Sequence, residues 1–318
     1  MGLPPPSWGS PARAPLTFLL ELVPALLLGL LLGRRWPGLS QRLAPPLVQW
    51  GVPFSLMGLL LRSGLNRNTA LVGLIALLAV AGGLLLLRRW LPRPVEQMGA
   101  VVGNTAYFGI PAVLALLPVQ AVGYAISYDL VATLFTWSLG PLLLAGQPLR
   151  LRPLLQALIA SPASRGAAGA AVLLLTPWHS ALASWLWWPA RAVVLLSLML
   201  VGMRLSAAQG RGLPRRLWPV LISKLLLFPL LLLALVQLLA LTPLALPPLA
   251  QAALVLQAAA PTAVSVLLLA EASPVGPAAA DPGDGPAAAA ALVFWSTLLA
   301  LVSVPLWAQL LHRCVGWA

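Results

Sequence analysis

"VVGNTAYFGIPAVLALLP", residues 101–118, lies inside a long apolar run, yet it holds the helix-weakening residues Gly103, Gly109 and Pro111 and the amide of Asn104. Hydrocarbon offers no water to satisfy a broken backbone or a lone amide. Such features persist at membrane depth only inside protein or beside a watery cavity. With a helix starting near Val95, Asn104 lies roughly 13–15 Å into the layer at about 1.5 Å per residue, close to the midplane. Two readings stand open. Either the glycines allow close helix packing and Pro111 makes a kink, or the helix is broken to expose backbone groups and Asn104 to a substrate.

The rest of the chain supplies the context. Of 318 residues, 60% are hydrophobic and 8% charged, where a soluble domain carries about 25% charged residues. Lipid is therefore the expected solvent, and at about 20 residues per span the length allows one membrane domain and little else. Ten apolar runs fall at 15–33, 44–61, 69–87, 95–117, 120–145, 154–176, 181–203, 217–241, 247–270 and 287–311. They are long and lack period-two alternation, which favours helices over barrel strands. The least distinct is the sixth, rich in small residues and carrying Arg165.

Basic residues number 19 against six acids, and Lys224 is the one lysine. The arginines cluster in short loops between apolar runs, as topology signals do, so nucleic acid is not an expected partner. Loops after odd-numbered runs hold twelve of them (among these Arg34, Arg88, Arg150 and Arg215), and the opposite side holds Arg13, Arg62, Arg67 and Arg313. That bias puts the odd-run loops in the cytoplasm and both termini outside. A plasma (inner) membrane location is expected, with a first span that is retained because residues 1–15 lack a signal-peptide pattern.

The runs repeat. "SLMGLLLR" (55–62) matches "SLMLVGMR" (197–204), and "GNTA" around Asn104 matches "APTA" around Pro261. Pro24-Ala25 pairs with Pro162-Ala163, and Thr133 and Pro141 pair with Thr297 and Pro305. The order is collinear. Five spans per half, an odd number, start the second half on the opposite face, so the halves are inverted. The expected fold is an all-α polytopic membrane protein of ten transmembrane helices in two inverted five-helix repeats, with helices four and nine broken and crossing. Its parts are an N-terminal tail (1–14), a first repeat (15–145), a cytoplasmic linker (146–153), a second repeat (154–312) and a C-terminal tail (313–318). The Pro- and Gly-rich stretch 271–286 reads as a flexible loop.

Matched helix breaks in inverted halves are the best sequence pointer to a transport site. The substrate-binding candidates are therefore Gly103, Asn104, Thr105, Gly109 and Pro111 with Pro261, Thr262 and Ser265. Half-helix N-termini there favour an anion. Ionisable groups within the runs add candidates. Lys224 reads better as snorkelling to the cytoplasmic face, and Arg191 stands open between site and structure. Asp129 and Glu21 are either coupling groups or partners of a buried arginine, pairing being favoured. Glu96 and Glu271, at run ends, are expected to reach water.

These residues also carry a resemblance. "GNTAYFGIP" (103–111) is similar to the signature of the auxin efflux carrier family of membrane permeases, and "AAAPTAVSVLLLAE" (258–271) resembles its second-half signature. "SKLLLFPLLL" (223–232) and "FWSTLLALVSVPL" (294–306) resemble its closing helices. The resemblance implies inverted five-helix repeats, crossing fourth and ninth helices near the substrate, and a scaffold set beside a moving set, as in the related bile acid/sodium symporters. Plant auxin exporters often carry a long loop between the halves. Here it runs only from about Gly146 to Pro153, so auxin is not supported, and the short-loop relatives are often linked to other organic acids.

The expected function is a secondary transporter for a small organic anion, a carboxylate, working by alternating access. A sodium-coupled symporter of the bile-acid type is the alternative. No P-loop is present. Two isolated histidines and the single Cys314 offer neither a metal cluster nor a nucleophile–base pair, so no enzyme and no cofactor is expected. The bilayer and the anion are the expected partners, and a homodimer is open.

Overall fold

The computed structural model of the chain describes residues 14–63, 66–145, 151–160, 162–208, 214–272 and 285–317. Helix occupies each of the ten apolar runs, whole or in pieces, and no strand occurs among the described residues. Five helices are long and apolar enough to cross a bilayer: Arg67–Leu87, Val122–Leu144, His179–Arg204, Arg215–Leu239 and Pro286–Cys314. The chain thus has the build of an integral membrane protein. The fourth and ninth runs are interrupted and give shorter pieces, among them Thr105–Leu116 and Pro248–Ala259. The sixth is described as the helical stretches Leu151–Ala160 and Pro162–Leu174, residue 161 lying outside the described residues. Arg165, which lies inside the sixth run, is exposed. The linker residues 146–150, the tail residues 1–13 and loop residues 273–284 lie outside the described residues.

Proline placement explains much of the local geometry. Three π-helical turns, Leu47–Gly51, Thr105–Gly109 and Ser223–Leu227, each end two residues before a proline: Pro53, Pro111 and Pro229. Proline has no N–H and obstructs the carbonyl four residues back. The residue ahead of it reaches five back instead, with Val52, Ile110 and Phe228 bonding the carbonyls of Leu47, Thr105 and Ser223. The carbonyl that Pro229 cannot use belongs to Leu225, and the buried Trp307 indole donates to it at 2.9 Å.

The helices sort into two packed groups. In one, Ala14–Arg35 lies along His179–Ala208, which also packs on Val52–Ser63, and Val52–Ser63 packs on Pro162–Leu174. The contact between the first pair is backbone-close: a Cβ on Gly29 would run into the Met199 carbonyl, and one on Gly202 into that of Leu26. Small residues permit this approach, which replaces hydrophobic driving force in lipid. In the other group, Arg67–Leu87 packs on Val122–Leu144, and Pro248–Ala259 sits among Val122–Leu144, Phe228–Leu239 and Pro286–Cys314. Pro248–Ala259 is the centre of this group, with Ala250 and every residue from Gln251 to Ala259 buried.

Candidate functional site

The broken helices repair one another. The helix Pro94–Val101 ends where Val102 turns extended (φ −76°, ψ 113°), and Pro248–Ala259 ends where Ala260 does the same (φ −56°, ψ 146°). The two unwound segments cross antiparallel, with Gly103 paired to Thr262. Asn104 N–H donates to the Pro261 carbonyl at 2.7 Å, and Ala263 N–H donates to the Val102 carbonyl at 3.1 Å. Pro261 is suited to this place because it supplies an acceptor and has no N–H to leave orphaned. The buried Thr262 is held twice more: its N–H donates to Ser296 Oγ at 3.0 Å and its hydroxyl to the Gly99 carbonyl at 2.7 Å.

Two helix C-termini meet at the crossing, and their carbonyls form a negative pole. Lys224 answers it. Its side chain is fully buried, and Nζ donates to the Ala258 carbonyl at 2.8 Å and the Val101 carbonyl at 3.4 Å, 5.2 Å from the centre of the Phe228 ring. The expected snorkelling to the cytoplasmic face does not occur, because these carbonyls offer the ammonium better partners within reach. Gly103 makes room for it, since a Cβ there would stand 3.1 Å from Nζ.

On the other side of the crossing lies a cavity of about 70 Å³, room for roughly five to seven water-sized groups. Gly103, Asn104, Thr105, Asp129 and Ser265, all singled out in the sequence, line it. Thr105 and Val264 begin the second halves of the two broken helices, and the starts of both, Thr105 to Tyr107 and Val264 with Ser265, border the cavity, where helix-start N–H groups lack intrahelical partners. Asn104 is 4% exposed, and its Nδ2 has no hydrogen-bond partner. Asp129 is equally buried, and its Oδ1 accepts from the Thr105 hydroxyl at 2.6 Å and the Thr133 hydroxyl at 3.3 Å. Hydroxyls thus take the place of the arginine partner favoured in the sequence reading.

Other candidates shape the site without lining it. Pro261, Thr262 and Lys224 tie the crossing. Pro111 is buried at the start of Ile110–Leu116, and Gly109 faces the buried Gln257, whose amide a Cβ would strike. Gln257 Nε2 donates to the Ala125 carbonyl at 3.1 Å. The side chains of Arg191 and Glu21 lie outside the described ones. Glu96 does not reach water as expected. It is 4% exposed and pairs with Arg93 at 3.3 Å, because the turn that starts its helix brings the guanidinium back over it. Glu271 stays partly exposed and bonds Arg204 at 2.8 Å.

Several lining residues were not singled out as site residues. Ser55 and Ser197 border the cavity, and they are the matched serines that open the repeated octamers of the second and seventh runs. Their signal was legible: a polar residue conserved between two halves of one apolar chain. Thr133, a repeat anchor as well, and Trp137 also line it. Ser296 and Gln257 had no signal of their own, since their roles depend on which backbone groups the crossing leaves unpaired.

A scan against protein-family models and a search of curated proteins return no match to the chain.

Proposed function

We propose that the chain is a secondary transporter that moves a small organic anion, a carboxylate, across the inner membrane by alternating access, a permease of the auxin efflux carrier kind. The observation that carries this reading is the crossing of Val102–Asn104 with Ala260–Ala263 beside a cavity bordered by two helix starts and an unpartnered amide. Donors without partners at a helix N-terminus suit a carboxylate. Asn104 bonds Pro261, the very residue that the internal repeat pairs with it, which supports ten spans in two inverted halves. The cavity wall draws on both helix groups, Val52, Ser55 and Ser197 from one and Asn104, Asp129 and Ser265 from the other. Motion of one group against the other would open the cavity to either side, the two-state behaviour alternating access requires.

The sodium-coupled alternative places a cation on backbone carbonyls at the helix breaks. Lys224 already holds an ammonium against two of them, which favours a sodium-independent carrier. The test is uptake of labelled acetate, propionate, lactate, succinate and alanine into proteoliposomes, with sodium or choline outside. Saturable uptake of at least one, unchanged in choline, is expected. Uptake that requires sodium would favour the symporter, and no saturable movement of any carboxylate-bearing solute would overturn the transporter reading.

A further inference from the structure

Asp129 is the one charged side chain among the described residues that line the cavity. Of the cations within the runs whose side chains are described, Lys224 is committed to carbonyls behind Gly103, and Arg165 is exposed. A carboxylate bound at the helix starts would therefore face another carboxylate at close range in a poorly solvated space, an arrangement that Coulomb repulsion disfavours. Both hydroxyl bonds to Asp129 fall on Oδ1, and no bond to Oδ2 is found among the described residues. An acceptor stands ready beside the donors.

The two poles are adjacent. Thr105, whose hydroxyl bonds Asp129, follows Asn104 in the chain and begins the half-helix whose amides border the cavity. A ligand that satisfies both poles carries its own carboxylate and, close to it, a positive donor. The cavity of about 70 Å³ suits a small skeleton. The repeat adds an asymmetry in the same direction. Thr133 matches Thr297, so Asp129 corresponds to Val293, and Thr297 bonds the Val293 backbone carbonyl at 2.6 Å where Thr133 reaches the Asp129 side chain. The acid is thus an addition to one half, placed on the cavity side, and no part of the shared helix framework.

We infer that the substrate is a small zwitterion of the α-amino-acid type, its carboxylate on Asn104 Nδ2 and the helix-start amides and its ammonium on Asp129. This rests on the transporter reading and keeps its carboxylate, while the added ammonium makes the solute net neutral instead of an anion.

The test uses the purified full-length chain in two measurements, calorimetric binding and counterflow in proteoliposomes. The ligands are glycine, L-alanine, propionate, lactate and ethylamine. Expected is alanine binding at least tenfold tighter than propionate, lactate or ethylamine. Asp129→Asn should shrink the alanine-to-propionate preference at least tenfold, and Asp129→Glu should retain part of it. Propionate bound as well as alanine by the unaltered protein overturns the inference, a result independent of how any variant folds. So does an unchanged preference in folded Asp129→Asn. Propionate moved without alanine sinks the zwitterion and leaves the carboxylate carrier standing. Alanine bound but never moved keeps the zwitterion site and sinks the carrier. Binding of neither sinks the zwitterion and leaves the carrier to the uptake measurement above.

Discussion

Replacing Asn104 by leucine separates the two roles that residue could have. Its backbone bonds, N–H to Pro261 and carbonyl to Phe108 and Gly109, do not involve the side chain. Its φ of −76° and ψ of 65° are open to any L residue. Leucine has a similar branched shape, and it removes a buried donor that now lacks a partner. An unpartnered buried donor costs about 1–3 kcal/mol, so folding stability should hold or rise by up to that amount. Binding should move the other way. A hydrogen bond to a charged group contributes about 1.5–3 kcal/mol, which corresponds to a Kd weakened about 10- to 150-fold. Calorimetry with alanine and propionate, paired with thermal unfolding in detergent, reads both quantities. The loss should be similar for the two ligands, because Asn104 meets the group they share, whereas Asp129 should change their ratio. A variant that binds like the parent, or one that unfolds several degrees earlier, would refute the assignment of this amide to substrate.

Four further outcomes follow from the same geometry. Gly109→Ala should destabilise the protein by about 1–3 kcal/mol through overpacking against the Gln257 amide, and Gln257→Ala in the same chain should restore most of it, as read by thermal unfolding. Ser296→Ala should cost about 1–3 kcal/mol by leaving the buried Thr262 N–H unpaired, again by unfolding; no loss would mean that the crossing does not depend on this bond. Glu271→Gln should lower stability by no more than about 1 kcal/mol, because Glu271 is 39% exposed and solvent screens its pair with Arg204; a double-mutant cycle with Arg204→Met measures it. Reporters fused after Arg313 should read external, and reporters placed in the 146–152 loop should read cytoplasmic; a cytoplasmic C-terminus contradicts the inverted arrangement.

Membrane class, helical content and the approximate limits of the apolar runs were legible in the linear chain, because each depends on local quantities. Twenty or so apolar residues satisfy lipid, and each helix satisfies its own backbone. The break near Asn104 was also legible, since Gly103, Gly109 and Pro111 act on their immediate neighbours, and so was its match at Pro261. The π turns ahead of Pro53, Pro111 and Pro229 were not legible, because Pro24, Pro141 and Pro305 lie inside helices that carry no such turn. What the chain could not disclose is where ionisable side chains end up. Lys224 is as long as any snorkelling lysine, and it turns inward only because Val101 and Ala258, distant in sequence, bring two negative helix ends within its reach. Asp129 meets hydroxyls instead of an arginine because the crossing delivers Thr105 to it. Charges and amides in a low-dielectric interior are governed by whichever partners long-range packing puts within about 3 Å, and only the tertiary structure decides those.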